Sequence, residues 1–307
     1  MTAREVKNLA ASVRQRLANI AQVRGEPFQY VAEHYAIERF LYRLSVSPHA
    51  GRFLLKGALL FKLWYDQPHR RTRDADLLGF GAPDVPALAK CFTEICVIRY
   101  EDGIAYDHDS VRASEIREGM VYQGVRVKIS AELARAVIPV QFDVGFGDAV
   151  TPGPEEILFP GLLDFPRPRL RAYPRYTVVA EKAETMVVFG EQNSRMRDFY
   201  DLWVLARTQP FEGPLLADAL SATFSRRRTA FPAGIPVGLT DDFARSPITQ
   251  TRWKAFLGRS QLDSHTEFPT VLDSLRGFLL KPLGAAAERR VFRASWSPGG
   301  PWKSEKE

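Results

Sequence analysis

Two aspartates at alternate positions, Asp74 and Asp76, close the stretch FLLKGALLFKLWYDQPHRRTRDADLLGFG, and they constrain the fold more than any other feature of the chain. The stretch opens on an apolar run at 53–55, reaches Gly57, and passes into a helix-like block over 58–65. Apolar residues around the aspartates mark a strand, on which residues two apart face the same way, roughly 6 to 7 Å apart. At an effective dielectric near 20, two such carboxylates repel by roughly 2 to 3 kcal/mol. Either the pair faces water at a solvated strand end, or the fold supplies a cation, for which hard oxygen ligands point to magnesium.

The 307 residues, 45% of them apolar, suffice for one large domain or two of ordinary size with a sizeable core. No apolar run approaches the ~20 residues that cross a bilayer. The N-terminus, MTAREVKNLAASVRQRLANIAQ, lacks the apolar block of a signal peptide, so no membrane association and a cytoplasmic location are expected. Cys91 and Cys96, the only cysteines, have no metal-ligand spacing around them and read as ordinary thiols in a helix core. The net charge is +6. Its arginines cluster, at Arg70, Arg71 and Arg73, at Arg167, Arg169, Arg171 and Arg175, and at Arg226 to Arg228. Such clusters suit phosphates of a nucleotide or nucleic acid, and they equally suit a solvated surface.

Three- and four-residue apolar spacing predicts helices over 3–23 and 28–44, separated at Gly25-Glu26-Pro27, with His34 an ordinary helix residue. A helix over 83–96, a strand over 97–102 and strands over 121–130 and 138–145 follow. In IPVQFDVG, Val140, Phe142 and Val144 alternate with Gln141 and Asp143, which puts Asp143 on the face away from the large apolar residues. The proline-rich stretch 151–175 reads as an irregular connector and a domain boundary. Beyond it, a helix over 177–189 carries Lys182 on an apolar stripe. A second helix, RMRDFYDLWVLAR, puts Asp198 and Asp201 on one face with Leu202 and Leu205. Carboxylates on such a stripe need a cation, for which Lys182, Arg195 and Arg197 are the candidates. Further helices span 214–283, and the last twenty or so residues read as a flexible tail.

The runs LKGALLFKLW and RRTRDADLLGFG, with VQFDVGFGD, AEKAETMVVFG and NSRMRDFYDLW, resemble the AbiEii/AbiGii toxin family. These are nucleotidyltransferases of the DNA polymerase beta superfamily and the toxins of bacterial toxin–antitoxin systems. The resemblance spans about 28–208 and departs at Ala58, where the superfamily has serine or a second glycine, and at Tyr176, where an acidic residue is expected. It implies an α+β fold, a nucleotidyltransferase mixed sheet flanked by helices with a helical C-terminal domain. The domains expected are a helical cap at 1–47, a catalytic domain at 48–150, a mainly helical domain completing the active site at 151–285, and the tail at 286–307.

The resemblance also implies a reaction, the attack of a hydroxyl on the α-phosphate of a nucleoside triphosphate. Asp74, Asp76 and Asp143 would hold magnesium, or manganese in its place, and Asp143 would help activate the nucleophile. Lys182 would bind the triphosphate with Lys56, Gly57, Ala58, Arg71, Arg73 and Arg195. Asp198 would be an essential carboxylate, supported by Asp201. The implied acceptor is RNA, the 3′ end of tRNA, and the implied partner is a winged-helix antitoxin. Alternative functions are transfer to a protein hydroxyl, a metal-dependent phosphohydrolase, and a non-catalytic RNA-binding module with a degenerate site.

Overall fold

The computed structural model describes residues 8–65, 72, 74–116, 124–263 and 265–304. Its larger sheet is built from β1 (Phe53–Lys56), β2 (Asp74–Gly79), β3 (Ile104–Ile116), β4 (Gly124–Leu133), β5 (Ala136–Phe146), β6 (Glu155–Leu158) and β7 (Arg169–Ala172). The strand order is β3-β4-β5-β2-β1-β7-β6. β2 pairs with β5, and β1 with β7, in parallel; the remaining neighbours are antiparallel, so the sheet is mixed as expected. Helices α1 (Leu9–Arg24), α2 (Phe28–Ser45), the short α3 (Phe61–Trp64) and α4 (Val85–Cys96) accompany it. The described residues divide into two compact units, the first within 1–63, 72–147 and 155–172, the second within 64–71, 148–154 and 173–307.

Period-two alternation divides the sheet of the first unit into two unlike faces. Ala75 and Leu77 on β2, Val125, Val127 and Ile129 on β4, and Val140, Phe142 and Val144 on β5 are buried. Aromatic rings fasten α2 and α4 to this face: Phe40 lies 4.5 Å from Phe142 and 5.3 Å from Phe92, centroid to centroid. The opposite face carries Asp74, Asp76, Gln141, Asp143, Arg126 and Lys128, none of them buried.

The helix α2 is more deeply embedded than an amphipathic cap, and it belongs to the same unit as the sheet. Every residue from Val31 to Leu41 is buried, including Glu38 and Arg39. One carboxylate makes this tolerable. Asp102, itself fully buried, accepts from Arg39 Nε at 2.8 Å and from Arg43 Nη1 and Nη2 at 2.7 and 3.0 Å, while its carbonyl accepts from the Tyr35 hydroxyl at 2.6 Å. The same anchorage explains why the strand expected over 97–102 does not form. The chain stays irregular to place Asp102 between two guanidiniums, turns at Gly103 with φ +77°, and begins β3 only at Ile104.

Two further expectations are corrected. The proline-rich stretch is not simply a connector, because it contributes β6 and β7 to the sheet edge, with Leu55 opposite Ala172. Pro154 and Pro160 bracket β6, and Pro168 and Pro174 bracket β7, so the prolines stand at the strand ends, where the Pro168 carbonyl still accepts from the Phe159 N–H at 2.9 Å. The final stretch is not a loose tail. In the second unit β8 (Phe211–Glu212), β9 (Ala294–Trp296) and β10 (Trp302–Ser304) form a small antiparallel sheet. Trp296 and Trp302 are buried, and their indole N–H groups donate to the carbonyls of Ala206 and Phe278 at 2.7 and 2.8 Å. The rest of that unit is helical: α5 (Arg175–Phe189), α6 (Met196–Thr208), α7 (Gly213–Arg227), α8 (Asp241–Arg245), α9 (Pro247–Ser260) and α10 (Phe268–Ala287).

Both cysteines are buried on α4, and burial pushes their thiols up to about 11 and about 12, which leaves them inert. Replacing Asp102 by alanine strands two buried guanidiniums. The expected cost is about 3 to 5 kcal/mol, read from urea unfolding; a loss under about 1 kcal/mol would show that the network is not what holds α2.

Candidate active site

Strand register assembles a row of charge across four strands. Lys56 on β1 is the Cα partner of Asp76 on β2, Asp76 is that of Asp143 on β5, and Asp143 is that of Arg126 on β4. Directly opposed residues point to the same face, so the order across the sheet is positive, negative, negative, positive. A second row runs beside it, with Asp74 opposite Gln141 and Gln141 opposite Lys128.

The turn leaving β1 is shaped to the row. Gly57 has φ +75°, and a Cβ placed on it would fall 1.9 Å from Asp76 Oδ2, so the carboxylate rests on the glycine backbone. Ala58, the departure from the family pattern, is buried in the short helical turn Gly57–Leu60. Asp143 is held by Arg126 through two parallel hydrogen bonds, Nε to Oδ1 at 2.8 Å and Nη2 to Oδ2 at 2.7 Å, with Gln141 Nε2 at 3.4 Å from Oδ1. Sequence reading did not single out Arg126. The alternation VRVKIS carries the signal for its face, but not for its partner.

The three aspartates share a face without closing into a cage. Among the described residues, the group whose ligand atoms all lie within 4.8 Å of one another is Asp107, His108 and Asp109, consecutive and exposed on β3. Arg70, Arg71 and Arg73 lie outside the described residues.

The approach to β2 is held by a second contact that sequence reading missed. His34 Nε2 lies 2.8 Å from the Thr72 carbonyl, so that nitrogen donates, and Nδ1 accepts from the Lys62 ammonium at 2.6 Å. Burial, helped by the charge of Lys62, pushes His34 down to about 3. Desolvation pushes Lys62 down to about 8, with Glu38 pulling the other way.

In the second unit, α5 and α6 are joined by Lys182, whose ammonium lies 2.5 Å from Asp198 Oδ1 and 2.8 Å from Asp201 Oδ2. Lys182, one of the candidate cations, is thus paired with both carboxylates. Arg195 places its guanidinium 5.1 Å from the Phe189 ring centroid, and its backbone N–H donates to Asn193 Oδ1. Tyr176 is a core residue: its ring packs edge-on against Phe211 and its hydroxyl accepts from the Glu212 N–H at 3.2 Å. A second cluster pairs Arg227 with Glu184 at 2.8 Å and Asp148 at 3.1 Å.

A mixed sheet with alternating aspartates beside a glycine turn, flanked by helices, defines the class as a nucleotidyltransferase-type α+β protein. Residues 39–274 match the family of the nucleotidyl transferase AbiEii toxin of type IV toxin–antitoxin systems, and the chain belongs to that family. It is therefore a nucleotidyltransferase and a toxin, with a nucleotide substrate and an antitoxin partner. Similar solved structures include JHP933 from Helicobacter pylori (15% identity, TM-score 0.45, 85% of this chain and 91% of that one). A second H. pylori structure, described as that of a candidate nucleotidyltransferase, has the same identity and TM-score over 85% and 94% of the two chains. No curated protein matches. Among the described residues no helix is long and apolar enough to cross a membrane.

Two outcomes are expected. Gly57→Ala forces a left-handed alanine and pushes Asp76 aside, so unfolding should weaken by about 1 to 3 kcal/mol while the folded variant loses nucleotide transfer. Full activity in that variant would separate Gly57 from the site. For His34, a folded value below the unfolded 6.5 means that the unfolded chain takes up the proton first. Its contribution is complete above about pH 6.5 and is lost as pH falls toward 3, by at most about 1.4 kcal/mol per pH unit. The unfolding midpoint of the parent should therefore fall more steeply between about pH 7 and 4.5 than that of His34→Gln; parallel curves would remove this account of His34.

Proposed function

We propose that the protein transfers a nucleoside monophosphate from a nucleoside triphosphate to RNA, at the 3′ end of tRNA, with release of pyrophosphate and arrest of translation. The observation that supports this most is the meeting of Asp74 and Asp76 on β2 with Asp143, the register partner of Asp76, on one accessible face. Three carboxylates offer hard oxygens, and adjacent negative charges favour a divalent ion, so the donor set fits magnesium, or manganese in its place. Asp74, Asp76 and Asp143 would hold it, and its chemistry there is to offset charge developing on the reacting phosphate.

The chain's own groups do the remainder. Lys56, beside Asp76, brings positive charge toward the triphosphate, the family resemblance gives Arg71 and Arg73 the same role, and Gly57 and Ala58 offer backbone amides. Asp143 takes the proton of the attacking hydroxyl. For the second unit the family resemblance supports Lys182 as the triphosphate's cation, with Asp198 and Asp201 holding its ammonium and Arg195 as a further phosphate contact. A winged-helix antitoxin and a cytoplasmic setting complete the reading.

The test is incubation of the purified chain with magnesium, total tRNA and each α-labelled nucleoside triphosphate, beside Asp76→Asn and Lys182→Ala. Label should enter tRNA with the parent and fall by at least about a hundredfold in Asp76→Asn. Label in protein would move the acceptor to a protein hydroxyl. Release of nucleotide without any acceptor would favour hydrolysis, and labelling unchanged by Asp76→Asn would overturn the assignment of the acidic row.

A further inference from the structure

Arg126 stands on the accessible face of β4 because Val125, Val127 and Ile129 take the buried one. Its guanidinium fork occupies both oxygens of Asp143, the carboxylate that the proposed function gives to a divalent cation. The pair is no core tie, since the two side chains are 35% and 20% exposed. Water and ligands can therefore reach it, and a guanidinium and a divalent ion would compete for the same two oxygens. The row is electrically balanced as it stands, Lys56 and Arg126 against Asp76 and Asp143. With a divalent cation added, the balance becomes positive, and the displaced group is a planar five-donor fork suited to phosphate oxygens.

We propose that Arg126 exchanges partners during the reaction cycle: it neutralises Asp143 while the site is empty, and it turns to a phosphate of the nucleoside triphosphate once Asp143 is given to the metal. The inference rests on the reading of Asp143 as a metal ligand. It makes Arg126 a nucleotide-binding residue supplied by β4. It also accounts for two adjacent carboxylates lying side by side before any metal arrives, since each has a cation as its outer neighbour in the row.

The exchange has an unusual signature, because removing Arg126 should strengthen one ligand and weaken the other. The full chain, Arg126→Ala, Arg126→Lys, Asp143→Asn and the neighbouring Lys128→Ala are titrated with Mn2+ alone by calorimetry. Each is then titrated, in saturating Mn2+, with a non-hydrolysable α,β-methylene nucleoside triphosphate. Arg126→Ala is expected to bind Mn2+ about threefold to tenfold more tightly than the parent, and the analogue at least about tenfold more weakly. Arg126→Lys should fall between, and Lys128→Ala should match the parent in both. If the parent binds Mn2+ through Asp143 but Arg126→Ala binds it no more tightly, Arg126 merely orients Asp143 and this inference fails alone. If the parent binds no Mn2+, or Asp143→Asn binds it equally well, the metal reading fails and takes the inference with it.

Discussion

The adjacency of Asp76 and Asp143 across β2 and β5 is the constraint on which the rest of the site depends. Side chains of register partners on neighbouring strands stand about 5 Å apart. Two carboxylates at that distance repel by about 3 kcal/mol at an effective dielectric near 20. Strand pairing fixes both Cα positions, so the two charges stay near one another whatever their rotamers. Compensation has to come from the neighbouring strands, and the register supplies it with Lys56 on one side and Arg126 on the other. Gly57 belongs to the same solution, since it leaves Asp76 no Cβ to contend with on the turn beside it.

That solution requires the face carrying the row to stay accessible, and Asp76, Asp143 and Arg126 on it are not buried. Phe40, Phe92 and Phe142 draw α2 and α4 onto the apolar face, and the burial of α2 then demands the Arg39–Arg43–Asp102 network. Asp102 in turn dictates the irregular approach to β3, the strand that carries the far edge of the polar face. A buried ionic network one layer down therefore helps set where the acidic row is displayed.

Features governed by short-range periodicity were legible in the sequence. Asp74 and Asp76 follow the period of a strand, Asp143 follows the alternation of IPVQFDVG, and Asp198 with Asp201 follows that of a helix. What depends on pairing across distance was not. Arg126 meets Asp143 from 17 residues away, and no local pattern says which residue of β4 opposes which of β5. His34 looked like an ordinary helix residue because its partners, Lys62 and the Thr72 carbonyl, come from other segments. Proline density concealed β6 and β7, although the prolines only bracket them. In the final stretch the glycines, prolines and lysines outweighed two tryptophans whose buried indoles make it a folded part of the second unit.

Both units pair a basic side chain with carboxylate, Lys182 with two and Arg126 with Asp143, in surroundings that give the pairing different lability. Lys182 is 15% exposed, with Asp198 at 9% and Asp201 at 0%, so opening that cluster means desolvated charge left without its partner. Arg126 and Asp143, at 35% and 20%, can trade a protein partner for water, metal or phosphate at much lower cost. The lysine cluster is thus suited to persist and to hold its ammonium at a fixed point on α5. The arginine pair is suited to open and close.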